Sequence, residues 1–300
     1  MKNQKIFVEN IPSKEELSFF LEDYKNLTNH EKMIAKALKL AKEIPHIEAV
    51  FLIGSLSQEK GDIFSDIDFY LLVEKGDDVF KTLNSFLSNI DKLGNIIHTF
   101  QSNAKKNSVI IYIKPYVKFE LVVESFPKLS NEWRLGKRAS VLFDKNGLGK
   151  KAVEKSKSKK FDLSNHMNEI RNLAIELPSF CFLISGYMYR EEYITIIDFI
   201  AWIRRKLLRI SGFFLELWDE GTRRAEERFP KELVNYYNRC KIGEITDVWY
   251  CLDTFIEWYS QWLVPNFEKY DIIHANQEVP AIISAIKKIK KKSNNKSKLG

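Results

Sequence analysis

Apolar residues recur along this chain at two different spacings, and the change between them divides it in two. Met33, Ile34, Ala37, Leu38 and Ala41 fall at i, i+3 and i+4 intervals, the pattern of a helix that buries one face. Thr28-Asn29-His30-Glu31 at its start has the form of a capping box, as does Ser13-Lys14-Glu15-Glu16 further upstream. That helix is expected to stop before Pro45. Residues 49–53 read as a buried strand running into Gly54-Ser55. A polar loop comes next, then a second strand over 67–73. Helical spacing returns over 77–90, through Val79, Phe80, Leu83, Phe86 and Leu87. Residues 96–100, 109–113 and 117–123 read as three more strands. Short strands alternating with helices predict a mixed α/β first half.

Residues 150–160, KKAVEKSKSKK, hold six lysines and almost nothing to bury, which reads as a linker. Beyond it every periodic segment is helical. Helices are expected over 164–190 (with a break near Pro178), 191–210, 231–240, 244–264 and 279–292. Gly212 is placed to end the second of these and Pro230 to start the third. The expected class is therefore α+β: a mixed-sheet domain over 1–149, a basic linker over 150–160, an all-α helical bundle over 161–292, and a flexible tail over 293–300.

The chain has 300 residues, 45% of them apolar, with 21 Phe, 12 Tyr and 6 Trp, enough for two cores. Its net charge of +7 suggests nucleic acid until it is located. Residues 287–300 contain seven lysines and no acid, so they account for the whole excess and leave the rest neutral. A nucleic-acid partner is therefore not expected from charge alone. Three cysteines, Cys181, Cys240 and Cys251, are too few and too widely spaced for a disulfide framework or a zinc site. Their apolar surroundings fit reduced, buried thiols in the cytoplasm. No signal peptide is expected from the opening residues, and no run approaches the roughly 18 apolar residues of a membrane span.

The chemistry is concentrated between Phe51 and Tyr70. A strand ends in Gly54-Ser55, a polar loop comes after it, and the next strand opens with Asp66-Ile67-Asp68. Side chains two apart on a strand point the same way, so the two carboxylates share a face. At about 7 Å apart they can hold divalent cations at the roughly 3.5–4 Å separation used for in-line phosphoryl displacement. Magnesium suits hard oxygen ligands and shares its shell with substrate phosphates. Gly54 would let a triphosphate approach the backbone, and Ser55 offers it an amide and a hydroxyl. Asp is disfavoured in strands, which argues against two surface aspartates at period 2.

These residues resemble the signature of the DNA polymerase β-like nucleotidyltransferase superfamily: an apolar strand, Gly-Ser, some ten residues, then Asp-x-Asp. The likeness is greatest to the small bacterial antibiotic nucleotidyltransferases that modify lincosamides and aminoglycosides, and residues 61–70 are particularly like the lincosamide type. The resemblance is specific over residues 50–73 and architectural elsewhere. It implies a polymerase β-like palm domain, ATP or another nucleoside triphosphate as co-substrate, Mg2+ as two ions on Asp66 and Asp68, and cofactor contacts from Gly54, Ser55, Lys60 and Ser65. It also implies a third carboxylate on a later strand, for which Glu120 is the natural choice, with Glu124 as the alternative. Phe119, Leu121 and Val123 alternate into a core and leave Glu120 on the opposite face beside Lys118. Relatives commonly carry a basic residue and Gly three and four residues after the serine. Here Gln58 and Glu59 stand there, and Lys60-Gly61 come next.

The expected reaction is transfer of AMP to a hydroxyl of a small molecule, an aminoglycoside or lincosamide, with release of pyrophosphate. A protein or RNA acceptor and an antitoxin-like nucleotide-binding regulator are the alternatives. On the helical half, Glu169, Glu176, Asp198, Asp219 and Glu220 are candidate acids for a cationic acceptor, Trp202 and Trp218 candidate stacking surfaces, and Arg204-Arg205-Lys206 a candidate triphosphate contact. The five histidines suggest no ligand set, and a homodimer is left open.

Overall fold

A computed structural model describes residues 5–76 and 78–296. The chain separates into two compact units that meet between Lys159 and Lys160. The first contains β1 (Lys5–Ile6), α1 (Lys14–Phe20), α2 (Thr28–Glu43), β2 (Ile47–Ile53), β3 (Ile67–Val73), α3 (Asp78–Leu87), β4 (Ile96–Gln101) and β5 (Ser108–Ile113). It continues through β6 (Val117–Ser125), α4 (Phe126–Leu129), α5 (Trp133–Arg138), β7 (Ala139–Asp144) and α6 (Leu148–Lys157). The strands form one sheet in the order β1-β4-β5-β6-β3-β2-β7. Among the described strands, only β3 and β6 pair in parallel.

Strand alternation sorts the side chains between two faces. Val50 and Leu52 of β2, Phe69 and Leu71 of β3, and Phe119 and Leu121 of β6 point into one core, where α2 and α3 add Met33, Ala37, Leu83 and Phe86. The opposite face takes Phe51 and Ile53, Tyr70 and Leu72, and Val122, covered by Leu129 of α4, Leu135 of α5 and Ala152 of α6. Asp68 and Glu120 share this second face.

Several expected boundaries shift. The Ser13–Glu16 capping box forms. The one at Thr28 does not, because α2 already includes Thr28 and its N-cap is Leu27, without a side-chain bond. β7 was not foreseen; it pairs with β2 at the sheet edge. The expected linker is largely α6. Its lysines are exposed, but Gly149, Ala152 and Ser156 are buried against the sheet unit. Residue 77, the expected start of α3, lies outside the described residues.

The second unit contains α7 (Met167–Arg190), α8 (Tyr193–Phe214), α9 (Ala225–Arg228), α10 (Lys231–Arg239), α11 (Val248–Trp258), a π-helical turn over Tyr259–Leu263, α12 (Val264–Lys269) and α13 (Val279–Lys296). Its core is built from residues such as Ile170, Leu177, Ile203, Phe255 and Trp258. α7 is not broken at Pro178: the proline is buried within a continuous helix. One lost amide bond is tolerated where packing holds both turns. Gly212 does not end α8, which runs on to Phe214. A β-carbon there would lie 3.1 Å from the Phe229 ring, so close packing accounts for the glycine. Pro230 is the N-cap of α10, as its position suggested. Residues 293–296 of the expected tail belong to α13, which extends to Lys296, and residues 297–300 lie outside the described residues.

Candidate active site

The antiparallel pairing of β2 with β3 sets Ile53 opposite Asp68, so the turn leaving β2 meets the start of β3. Gly54 has a φ of +93°, and a β-carbon on it would lie 2.9 Å from Asp68 Oδ2. Glycine is required there by backbone geometry and by the carboxylate next to it. The turn is held firmly. Gly54 N donates to Arg138 O at 3.1 Å, and Ser57 Oγ lies 2.8 Å from Gly54 O and 2.6 Å from Arg138 O. Ser55 is the N-cap of a short 3-10 turn, its hydroxyl making no capping bond and its carbonyl accepting from Lys60 N at 3.0 Å. The Lys60 side chain is exposed.

The loop between the strands is stitched to itself. Ser65 Oγ donates to Asp62 Oδ1 at 3.2 Å and accepts from Asp62 N at 3.0 Å. Ser65, expected to touch the cofactor, is thus engaged in a turn that aims Asp66 and Asp68. His30 of α2, fully buried, supports the same turn from beneath, with Nε2 3.1 Å from Ser65 O. Its Nδ1 has no partner among the described residues. Burial pushes the His30 pKa down, against the opposing pull of the Ser65 carbonyl and Asp62. The ring is therefore neutral, its Nε2–H donating to Ser65 O. Sequence reading missed this residue, and no local spacing signals it, because its role depends on a contact 35 residues along the chain.

The parallel register of β3 with β6 places Asp68 beside Glu120. Just before that ladder begins, Asp66 Oδ2 accepts a 2.5 Å bond from Lys118 Nζ. Lys118 and Glu120 share one face of β6, so the pairs Asp66–Lys118 and Asp68–Glu120 lie next to one another along that strand. Burial alone would lower the Lys118 pKa. The Asp66 hydrogen bond and the charges of Asp66 and Glu120 outweigh it and raise the pKa above the usual value. Glu120 Oε1 accepts from Ser108 Oγ at 3.0 Å. Glu124 sits about 13 Å further along the strand and is held by Asn107 Nδ2 at 2.9 Å, so Glu120 is the carboxylate registered beside Asp68. Tyr70, next along the face, keeps its proton: burial drives its pKa up, and the charges of Asp68 and Glu120 add to the shift. Beyond it the unit holds a cavity of about 520 Å³, lined by Tyr70, Val122, Glu124, Lys105 and Glu132 among others.

The donor set suits a hard divalent cation. It consists of carboxylate oxygens, with the Gly54 backbone close against one of them. Among the described residues no three Asp, Glu, His or Cys side chains are grouped to hold an ion by themselves. Phosphate oxygens would have to complete any shell.

The sequence model of the streptomycin adenylyltransferase family matches residues 27–216, well over half of the chain. The chain belongs to that family. The match runs from the start of α2 to just past the end of α8, so it includes the whole Gly54–Asp68 segment and Glu120. The chain is thus an adenylyltransferase, with a nucleoside triphosphate as co-substrate. The family lies on the aminoglycoside side of the resemblance in the sequence. No curated protein matches the chain. Among solved structures, an aminoglycoside 6-adenyltransferase from Bacillus subtilis is 13% identical, covering 86% of this chain and 97% of its own, with a TM-score of 0.38. A nucleotidyltransferase-like protein from Exiguobacterium sibiricum is 8% identical over 79% of this chain and 77% of its own, with a TM-score of 0.38.

Within the helical unit of this adenylyltransferase, several expected acceptor residues come together. Glu169 pairs with Lys206 and, at 3.4 Å, with Arg209. Arg209 also meets Asp219 at 3.1 Å. A cavity of about 300 Å³ is lined there by Trp202, Lys206, Arg209 and Asp219. Glu176 and Asp198 are exposed and stand apart from this cluster. Arg204 turns into its own unit, donating to Cys240 O at 3.3 Å. All three cysteines are free and buried, and no described helix is long and apolar enough to cross a membrane.

Proposed function

We propose that the chain transfers AMP from ATP, with a divalent cation, to a hydroxyl of an aminoglycoside-type small molecule. The observation that carries this reading is the row of Asp66–Lys118 and Asp68–Glu120 set against the Gly54-Ser55 turn. Ser55 would take the terminal phosphates through its amide and hydroxyl. Asp66 and Asp68 would hold the cation, which, when bound, supplies positive charge to the phosphate oxygens. Glu120 would accept the proton of the attacking hydroxyl. The acceptor oxygen then bonds to the α-phosphorus as the bond to the bridging oxygen breaks, and pyrophosphate leaves with that electron pair. Attack in line must come from the side opposite the leaving group. The cavity beyond Tyr70 would admit the acceptor; its lining carries Glu124 and Glu132 together with Lys105, Lys106 and Lys128. Most of the catalytic gain would come from position and fixed charge.

Pyrophosphate release from ATP and Mg2+ tests the reading against streptomycin, other aminoglycosides, a lincosamide and tRNA. Release with an aminoglycoside alone is expected. Release only with tRNA would overturn the small-molecule acceptor. Asp68→Asn is expected to lower turnover by about 10²–10³-fold, the scale of losing one electrostatic group at a reacting centre. Unchanged turnover would remove Asp68 from the site.

A further inference from the structure

Strand register continues the carboxylate row across the sheet. Ile110 of β5 is registered with Glu120, and Phe100 of β4 with Ile110, so Asp68, Glu120, Ile110 and Phe100 run in line over four strands. In the next line Tyr112 is registered with Lys118, and His98 with Tyr112. Three of these positions are aromatic and their rings touch. The His98 centroid lies 4.6 Å from that of Tyr112 and 5.8 Å from that of Phe100. All three rings are half-buried. The alternate residues of β5, Val109, Ile111 and Ile113, fill the core on the other side of the sheet. The apolar packing beneath α4, α5 and α6 takes strand residues from β2, β3, β6 and β7, and none from β4 or β5. Those helices thus leave the aromatic cluster uncovered, on the face that carries Asp68 and Glu120.

We propose that His98, Phe100 and Tyr112 form the platform on which the adenine of the bound nucleotide stacks. The inference rests on the function proposed above and extends it to the base. Strands lie about 4.8 Å apart, so Tyr112 and His98 stand about 5 and 10 Å from the β6 row, a distance a ribose spans between an α-phosphate and its base. With the triphosphate at the Gly54-Ser55 turn and the acceptor admitted beyond Tyr70, β5 and β4 are the side left for the nucleoside. The chemistry of the cluster selects the same occupant. Its three rings offer no carboxylate to a polycationic acceptor, whereas every base presents a π-face that stacks on aromatic side chains.

Calorimetric titration in the presence of Mg2+ compares two probes: an α,β-methylene analogue of ATP, and inorganic tripolyphosphate, which has the phosphates and no base. Neither needs an acceptor or turnover. Tyr112→Ala and Phe100→Ala are each expected to weaken the analogue about 10-fold, the scale of losing one base–aromatic contact, and to leave tripolyphosphate unchanged. Tyr112→Phe retains the ring and should bind the analogue as the wild type does. Circular dichroism checks that each variant is folded; where an alanine variant is not, leucine at that position takes its place with the same outcomes. Unchanged affinity for the analogue would overturn the proposal. Equal weakening of both probes would also overturn it, since that is the mark of a distorted strand and not of a lost stacking surface. If the variants separate the two probes but the wild type releases no pyrophosphate with any acceptor, the proposed function fails and the platform stands.

Discussion

Gly54 is where backbone and chemistry meet most closely. Its φ of +93° already strains any L-residue, and the Asp68 carboxylate fills the space a methyl would take. Gly54→Ala is expected to destabilise the fold by about 1–3 kcal/mol. It should lower turnover on the order of 10²-fold, because a shift of about 1 Å at reacting groups has that effect. Urea unfolding and pyrophosphate release measure the two losses separately. His30 yields a prediction with a definite sign. Its pKa is depressed by burial, so the unfolded chain takes up a proton that the folded chain refuses. The stability it contributes is complete above the ordinary imidazole pKa of about 6.5 and is lost as pH falls through and below it. His30→Gln keeps a donor for Ser65 O and removes the titration. Between about pH 8 and pH 5 its melting temperature should fall less than that of the wild type; equal slopes would dismiss His30 as the sensor. The Asp-x-Asp pair was legible from spacing alone. Lys118 was seen only as a neighbour of Glu120, because a hydrogen bond between residues 66 and 118 depends on strand register.

α6 shows how local composition misleads about an element. Its lysines face water, while Ser156 is buried, donating to Glu132 O at 2.6 Å and accepting from Gly136 N at 2.7 Å. A β-carbon on Gly136 would approach Lys157 N to 2.5 Å, so α5 and α6 touch backbone to backbone. Ser156→Ala removes both bonds and deprives the half-buried Gly136 amide of this acceptor, while Glu132 O keeps Leu135 N at 3.1 Å. A loss of about 1–3 kcal/mol in unfolding free energy is expected, measured by urea denaturation. A change within about 0.5 kcal/mol would mean that α6 is held by apolar contacts alone. Pro178 teaches the converse. The sequence contains a helix breaker, but burial in the second core compensates for its missing donor.

The two units carry separate cores, one around Phe69, Phe86 and Phe119 and another around Phe255, Trp258 and Phe267. Residues 1–159 expressed alone are therefore expected to unfold cooperatively in urea with a dispersed amide spectrum; a non-cooperative transition would contradict an independent core. The basic excess of the chain lies in seven lysines over 287–300, and α13 carries the described part of that run up to Lys296. Basicity is thus confined to the C-terminal residues, and the rest of the chain is electrically neutral.

Period-2 and period-3.6 patterns determined the strands from β2 to β6 and most helices, because those residues lie along one face of a core and repeat its geometry. The same logic identified Gly54-Ser55 and Asp66-Ile67-Asp68, a motif contained within two strands and one loop. Tertiary structure alone decided which acid stands beside Asp68, which cation sits on Asp66, that a histidine of α2 supports the loop, and that residues 150–157 belong to a packed helix. Each of these depends on contacts between residues distant in the chain, and strand order and register, which no local spacing encodes, bring them together.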